Sequence, residues 1–138
     1  MDHKEAKNYL LSKPEAIEDF PFGPDVAVFK IKGKMFATLA LGDGKEKGTQ
    51  GKMEGHWCMN LKCNPDQADA IRSTFEAVIP GYHMNRKHWN TVILDGSIPS
   101  SEIEAMIDQS YSLVVKGLKK FERELLELHY PKEQLYQN

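Results

Sequence analysis

The clearest periodic signal in the chain is DVAVFKIKGKMFATLAL, where alternation places Val26 and Val28 on one strand face and Ala27, Phe29 and Ile31 on the other. Lys32-Gly33 reads as a two-residue turn in which glycine takes positive φ, so residues 35–39 return as the second arm of a hairpin. A third strand, HWCMNLK, alternates Trp57, Met59 and Leu61 with Cys58, Asn60 and Lys62. Between the hairpin and this strand lies GDGKEKGTQGKMEG, residues 42–55, with five glycines, three lysines and only Met53 as a large apolar side chain. That composition predicts a long flexible loop outside the core.

Helical signals separate and flank these strands. Asp2-His3-Lys4-Glu5 fits a capping box that opens a short helix to about Ser12, with Ala6, Tyr9 and Leu10 on one face. Pro14 and then Pro21-Phe22-Gly23-Pro24 force an extended, turning segment. Asn64-Pro65-Asp66-Gln67 opens a second helix, with Asn64 as N-cap and Pro65 at the first helical position. Ala68, Ile71 and Phe75 form its apolar side, and Pro80-Gly81 marks its end. Two short strands flank the 81–91 segment, with Asn85 to Lys87 near the turn and Trp89 to Leu94 as the return. A long last helix starts near Ser100 or Ser101, where Ser101 and Glu104 fit a capping box. Ile107, Val114, Leu118, Phe121, Leu125 and Leu128 keep helical spacing to about His129, and Pro131 stops it, leaving a short tail. The order α-β-β-β-α-β-β-α predicts an α+β protein: two layers, an antiparallel sheet of about five strands with helices packed on it.

Composition narrows this picture without redirecting it. The 138 residues suit one domain with one core, and 41% hydrophobic against 28% charged residues suits a soluble globular protein. No apolar run approaches the roughly 20 residues that span a bilayer, and the first residues are charged, so a cytoplasmic, non-membrane protein is expected. Cys58 and Cys63 are too few for a disulfide framework, and their spacing is not that of a redox or zinc pair. Net charge is −2, but it is sorted: residues 26–94 carry a balance of +4 and the flanks −6. Such sorting permits one basic face on an acidic protein.

The segment GYHMNRKHWNT, residues 81–91, contains no acid and collects Tyr82, His83, Asn85, Arg86, Lys87, His88, Trp89 and Asn90. Arg86 and Lys87 can neutralise phosphates; Asn85 and Asn90 can donate to phosphate or pair with base edges. Trp89 and Tyr82 can stack on an exposed base, and His83 and His88 become cations beside an anion. Lys45, Lys47 and Lys52 supply donors from the glycine-rich loop. A plainer account of the same residues has Trp89 in the core, His83 and Asn85 tying down a turn, and the lysines solvated. Trp89, Thr91 and Ile93 share one strand face, while Asn90, Val92 and Leu94 share the other.

His56 and Cys58, with Cys63, His83 and His88, are candidate metal ligands, but no zinc-like pair of close ligand pairs exists, and no metal or cofactor is expected. There is no G-x-S-x-G elbow, and position 46 is Glu where a phosphate-binding loop ending at Gly51-Lys52 needs glycine. A non-enzymatic protein is therefore expected. Leu125, Leu126 and Leu128 lie beyond the expected sheet edge and offer a protein partner a docking face as an alternative function. An enzyme or binder of a small anionic ligand, with His83 and His88 facing an apolar pocket, is the third reading.

Three stretches carry a family resemblance: FPFGPDVAVFKIKGKMFA (20–37), GYHMNRKHWNTVILDG (81–96) and IDQSYSLVV (107–115). They closely resemble the MmcQ/YjbR family of small bacterial proteins, in matching order from about residue 5 to 120. Pro21-Phe22-Gly23-Pro24-Asp25, His83-Met84-Asn85 and His88-Trp89-Asn90-Thr91 are its hallmarks. The resemblance implies a secretion-chaperone-like or CyaY-like architecture and a DNA-binding protein with a double-wing motif. Mapped here, the wings are loop 42–55 and the turn at 84–88, with Asp43, Glu46 and Glu54 diluting the first wing's positive field. It brings no catalytic residues. The expected partner is DNA, held by Lys45, Lys47, Lys52, Arg86 and Lys87 and oriented or read by His83, Asn85, His88, Trp89 and Asn90.

Overall fold

The computed structural model describes residues 1–137. The elements run α1 (His3–Leu11), β1 (Ile17–Asp19), β2 (Val26–Ile31), β3 (Lys34–Leu41), β4 (Trp57–Lys62), α2 (Pro65–Thr74), β5 (Val78–Pro80), β6 (Trp89–Ile93), α3 (Ser100–Lys116), α4 (Lys120–His129) and α5 (Lys132–Leu135). Six strands form one sheet in the order β1-β2-β3-β4-β6-β5, and every neighbouring pair is antiparallel. The class is α+β, as expected, with one strand more than expected. The extra strand, β1, is only three residues long and lies in the Pro-rich stretch, too short for alternation to show. Its pairing with β2 is reinforced by Lys30 Nζ, 2.9 Å from Asp19 Oδ2.

Local signals account for most element ends. Glu5 N–H donates to Asp2 Oδ1 at 2.8 Å and Asp2 N–H to Glu5 Oε1 at 3.1 Å, which completes the capping box of α1. Asp66 N–H donates to Asn64 Oδ1 at 3.0 Å, with Pro65 at the first position of α2. Lys32 and Gly33 have φ of 51° and 79°, the left-handed pair that lets a two-residue turn follow the twist of its strands.

The hairpin carries a register shift between Phe29 and Lys30, which leaves Phe36 as an extra residue on β3. Phe36 is thereby buried with Ala37, and its ring meets Tyr111 edge-on at 5.2 Å. Helix α3 packs across β2, β3 and β4 and buries Ile103, Ile107, Tyr111, Val114 and Val115. Ser110 Oγ donates to the Phe36 carbonyl and accepts from Lys62 N–H at 2.8 Å, and Tyr111 Oη donates to the Pro14 carbonyl at 2.8 Å. The core thus lies between the helices and the face bearing Ala27, Phe29, Ala37, Leu39, Met59, Leu61 and Val92.

Several expectations are revised. The last helix is not continuous to His129: α3 stops at Lys116, and the chain turns at Gly117 so that Leu118 and Leu126 enter the core. Burying those two leucines outweighs the helical period that runs through the turn. The expected Ser101–Glu104 box is absent, because the helix cap lies two residues earlier, at Pro99, with no side-chain bond there. The short tail after 129 packs onto the fold. Leu135 is 1% exposed, Tyr136 Oη donates to Glu127 at 2.8 Å, and Gln137 N–H donates to Ser112 Oγ at 3.1 Å. In addition, α2 ends at Thr74 rather than at Pro80-Gly81, and residues 78–80 become β5. No described helix is long and apolar enough to cross a membrane.

Candidate functional site

The sheet face opposite the helices carries a cross-strand row of Val28, Thr38, Asn60 and Thr91. Its polar members fasten the 81–91 segment to the sheet. Tyr82 N–H donates to Thr91 Oγ1 at 2.9 Å, Thr91 Oγ1 donates to Asn60 Oδ1 at 2.5 Å, and Asn60 Nδ2 donates to the Tyr82 carbonyl at 3.4 Å. The chain turns sharply there, with His83 at φ 58° and its ring stacked on Tyr82 at 4.1 Å. A histidine tolerates the left-handed region better than most side chains.

Antiparallel registers place the 42–55 loop and the 81–88 segment at opposite ends of their strands: Leu41 pairs with Trp57, while Lys62 pairs with Trp89. Both nevertheless bend over the helix-free face and meet there. The loop is ordered by its own contacts. Gly42 N–H donates to the His56 carbonyl at 2.8 Å, Gly55 N–H donates to the Gly42 carbonyl at 3.0 Å, and Met53 is 8% exposed, part of the core against expectation. A Cβ on Gly42 would lie 2.0 Å from the Met53 carbonyl oxygen, so only glycine lets the loop close at that point.

Where the segments meet lies a cleft of about 550 Å³, lined by Lys47, Lys52, His83 and Arg86 with Thr49, Gln50, Tyr82 and Met84, and by no acidic residue. Among the described residues the lysines and arginines in ion pairs are Lys7, Lys13, Lys30, Lys32, Arg72 and Lys120, so the cleft cations are not neutralised internally. Two of the three acids of this loop, Asp43 and Glu46, are tied to the loop's own backbone. Glu46 accepts from the N–H groups of Asp43 and Gly44, each at 3.1 Å, and Asp43 accepts from Lys45 N–H at 2.8 Å. The Lys45 N–H holds the Asp43 carboxyl below its usual range, with the Glu46 carboxyl assisting.

The other expected residues divide. Lys45 and Lys87 are exposed but outside the cleft lining. Asn85 shapes the turn: its Oδ1 accepts from Lys87 N–H at 2.9 Å and its carbonyl from Trp89 N–H at 2.9 Å. His88 is half-buried, its carbonyl accepting from Cys63 N–H at 2.8 Å. Trp89 is half-buried, packed so closely on Gly81 that a Cβ there would lie 2.9 Å from the Trp89 Cβ. Asn90 is a correction. It is 3% exposed and bonded to Arg72, so it is a structural residue and not a surface donor. Arg72 escaped sequence reasoning, because nothing local links a residue on α2 to one eighteen positions later.

A second cavity of about 480 Å³ adjoins the cleft and shares Tyr82, His83 and Met84 with it. Its walls are mainly apolar, including Phe22, Met35 and Met53, over a floor of Thr38, Cys58, Asn60 and Thr91. Burial pushes the Cys58 thiol up to about 12, assisted by the Glu46 and Asp95 carboxylates, which leaves it a neutral and poor nucleophile. Both cysteines are free and buried. Among the described residues no three His, Cys, Asp or Glu side chains are placed to hold a metal ion.

One antiparallel sheet with helices on one side and a two-part cleft on the other defines a small α+β domain. The chain belongs to the YjbR family, whose model matches residues 11–113. It is 34% identical over 118 residues to the uncharacterized protein YbdF of Escherichia coli O157:H7, covering 86% of this chain and 88% of that one. To YjbR of Escherichia coli K12 it is 30% identical over 126 residues, covering 91% and 98%. The fold superposes on the crystal structure of Deinococcus radiodurans DR2400 with a TM-score of 0.75 at 30% identity, covering 91% of this chain and 88% of that one. A Pseudomonas syringae protein gives a TM-score of 0.72 at 30% identity, covering 82% and 98%.

Proposed function

We propose that this protein binds DNA without catalysing a reaction on it, holding the phosphate backbone with Lys47, Lys52 and Arg86. The carrying observation is the convergence of two separated basic segments on one acid-free cleft. Unpaired cations on a low-dielectric wall attract a polyanion even when the whole chain is slightly negative. Few phosphates are engaged, so affinity is modest, on the order of 10⁻⁴–10⁻⁶ M at physiological salt.

The test is a titration of duplex and single-stranded DNA at several salt concentrations. Binding weakens with salt, with a log-log slope of about −0.9 per neutralised phosphate on duplex and about −0.7 on a single strand. Replacing Lys47, Lys52 and Arg86 together by alanine removes most of that slope. No retention of either form at low salt, or an unchanged slope in the triple variant, rejects the reading.

A protein adaptor is the second reading. On α4 the side chains of Phe121, Leu125 and Leu128 are 61%, 43% and 77% exposed, at helical spacing on one side. Loss of a stoichiometric protein partner upon Leu128→Glu, with no DNA retained by the unaltered chain, would favour this reading over DNA.

A further inference from the structure

The apolar cavity beside the cationic cleft has a use that phosphate binding alone does not give it. Its volume of about 480 Å³ falls within the roughly 300–1,000 Å³ of small-ligand sites. The two compartments differ in polarity and share one wall. The cleft offers Lys47, Lys52 and Arg86. The cavity has no lysine or arginine, and the carboxylate-bearing Glu46 stands at it. An anion is therefore favoured in the cleft and disfavoured in the cavity, which suits a flat, neutral ring instead.

The surfaces that such a ring would meet are in place. Phe22 is 72% exposed and lines the cavity, so its ring is free to cover an occupant. Tyr82 and His83, stacked on each other, form the wall between the compartments. The floor holds Thr38, whose Oγ1 accepts from Asn60 N–H at 3.3 Å and keeps its own proton to donate. Glu46 can accept from an exocyclic amine. A neutral heterocycle with an amine, attached to a phosphate one compartment away, is a nucleotide. Three cations in the cleft exceed what one phosphate needs, which favours a strand over a free nucleoside monophosphate.

We propose that the cavity takes one unstacked base of a DNA strand whose backbone lies in the adjoining cleft. This rests on the DNA-binding reading. A base enters at little cost from a single strand and only after unpairing from a duplex, so single strands bind more tightly at equal length and salt.

The experiment compares one oligonucleotide as a single strand, as a duplex and as an abasic single strand, with a deoxynucleoside monophosphate as a fourth ligand. It uses the full chain and its Phe22→Ala and Ala40→Leu variants. Phe22 is exposed, so its replacement leaves the core untouched; Ala40→Leu fills the cavity from β3. The expected result is a preference for the single strand of about tenfold, lost with the abasic strand and in both variants, with the salt slope unchanged. Equal affinity for single strand, abasic strand and duplex overturns the base pocket and leaves phosphate binding standing. A monophosphate that binds as tightly as the strand overturns the strand as occupant. No binding to any DNA overturns both proposals.

Discussion

Arg72 Nε donates to Asn90 Oδ1 at 2.6 Å, and the same guanidinium reaches the carbonyls of Arg86 and Trp89 and lies 3.4 Å from Asp69 Oδ1. One side chain on α2 thereby fixes the return of the 81–91 segment at three points. The direction in which Arg86 faces the cleft depends on a cation that is itself no part of the cleft.

Arg72→Ala should leave Asn90 buried without its partner and cost about 1.5–3 kcal/mol, the range for hydrogen bonds to a charged group. Arg72→Lys restores the charge without the planar fork and should recover only part of the loss. Urea denaturation midpoints measure both. A cost under about 0.5 kcal/mol, the size of an ordinary surface substitution, would mean the segment is held by other contacts.

The C-terminal segment makes a separate prediction. Leu135 is 1% exposed, against α3 and α4, so Leu135→Ala should lose about 2–5 kcal/mol. A chain ending at His129 should lose at least as much. Thermal unfolding checks this, and an unchanged midpoint would return residues 130–137 to the status of a tail.

Cys58 predicts a pH dependence. Its thiol is raised from 9.0 to about 12 by burial, with Glu46 and Asp95 adding to the shift. The folded state favours the protonated form, so this contribution is complete below pH 9 and is lost as pH rises toward 12. Burial also raises the Tyr111 hydroxyl, and its effect has the same sign. Stability should therefore fall above pH 9, and less steeply in Cys58→Ala. Iodoacetamide at pH 8 should alkylate the native thiol far more slowly than the unfolded one. Equal rates would show that the thiol is open to solvent.

Arg86 and Lys87 are neighbours in sequence but differ in position, since only Arg86 lines the cleft. Arg86→Ala should reduce the salt slope of duplex binding by about 0.9, and Lys87→Ala by much less. Salt-dependent titration of the single variants decides it, and equal effects would place the backbone outside the cleft.

Alternation along β6 correctly put Asn90 on the face of Val92, which is the core face. Its amide nevertheless suggested a surface role, because the partner that makes an inward amide tolerable, Arg72, stands on another element. Loop 42–55 was misjudged for a related reason. Glycines and lysines describe a segment outside the core, while Met53, which joins the core, is a single apolar side chain without a period to reveal it.

By itself the sequence determined whatever depends on near neighbours. The Asp2 and Asn64 caps, the Lys32-Gly33 turn and the two-residue period of the strands follow from dihedral preferences and hydrogen bonds within a few positions. Tertiary structure alone decided that the chain bends at Gly117 to bury Leu118 and Leu126, and that Arg72 finds Asn90. It also brought Lys47 and Lys52 over the sheet to His83 and Arg86. These outcomes depend on strand order and on the burial of side chains distant along the chain, and a local pattern carries no information about either.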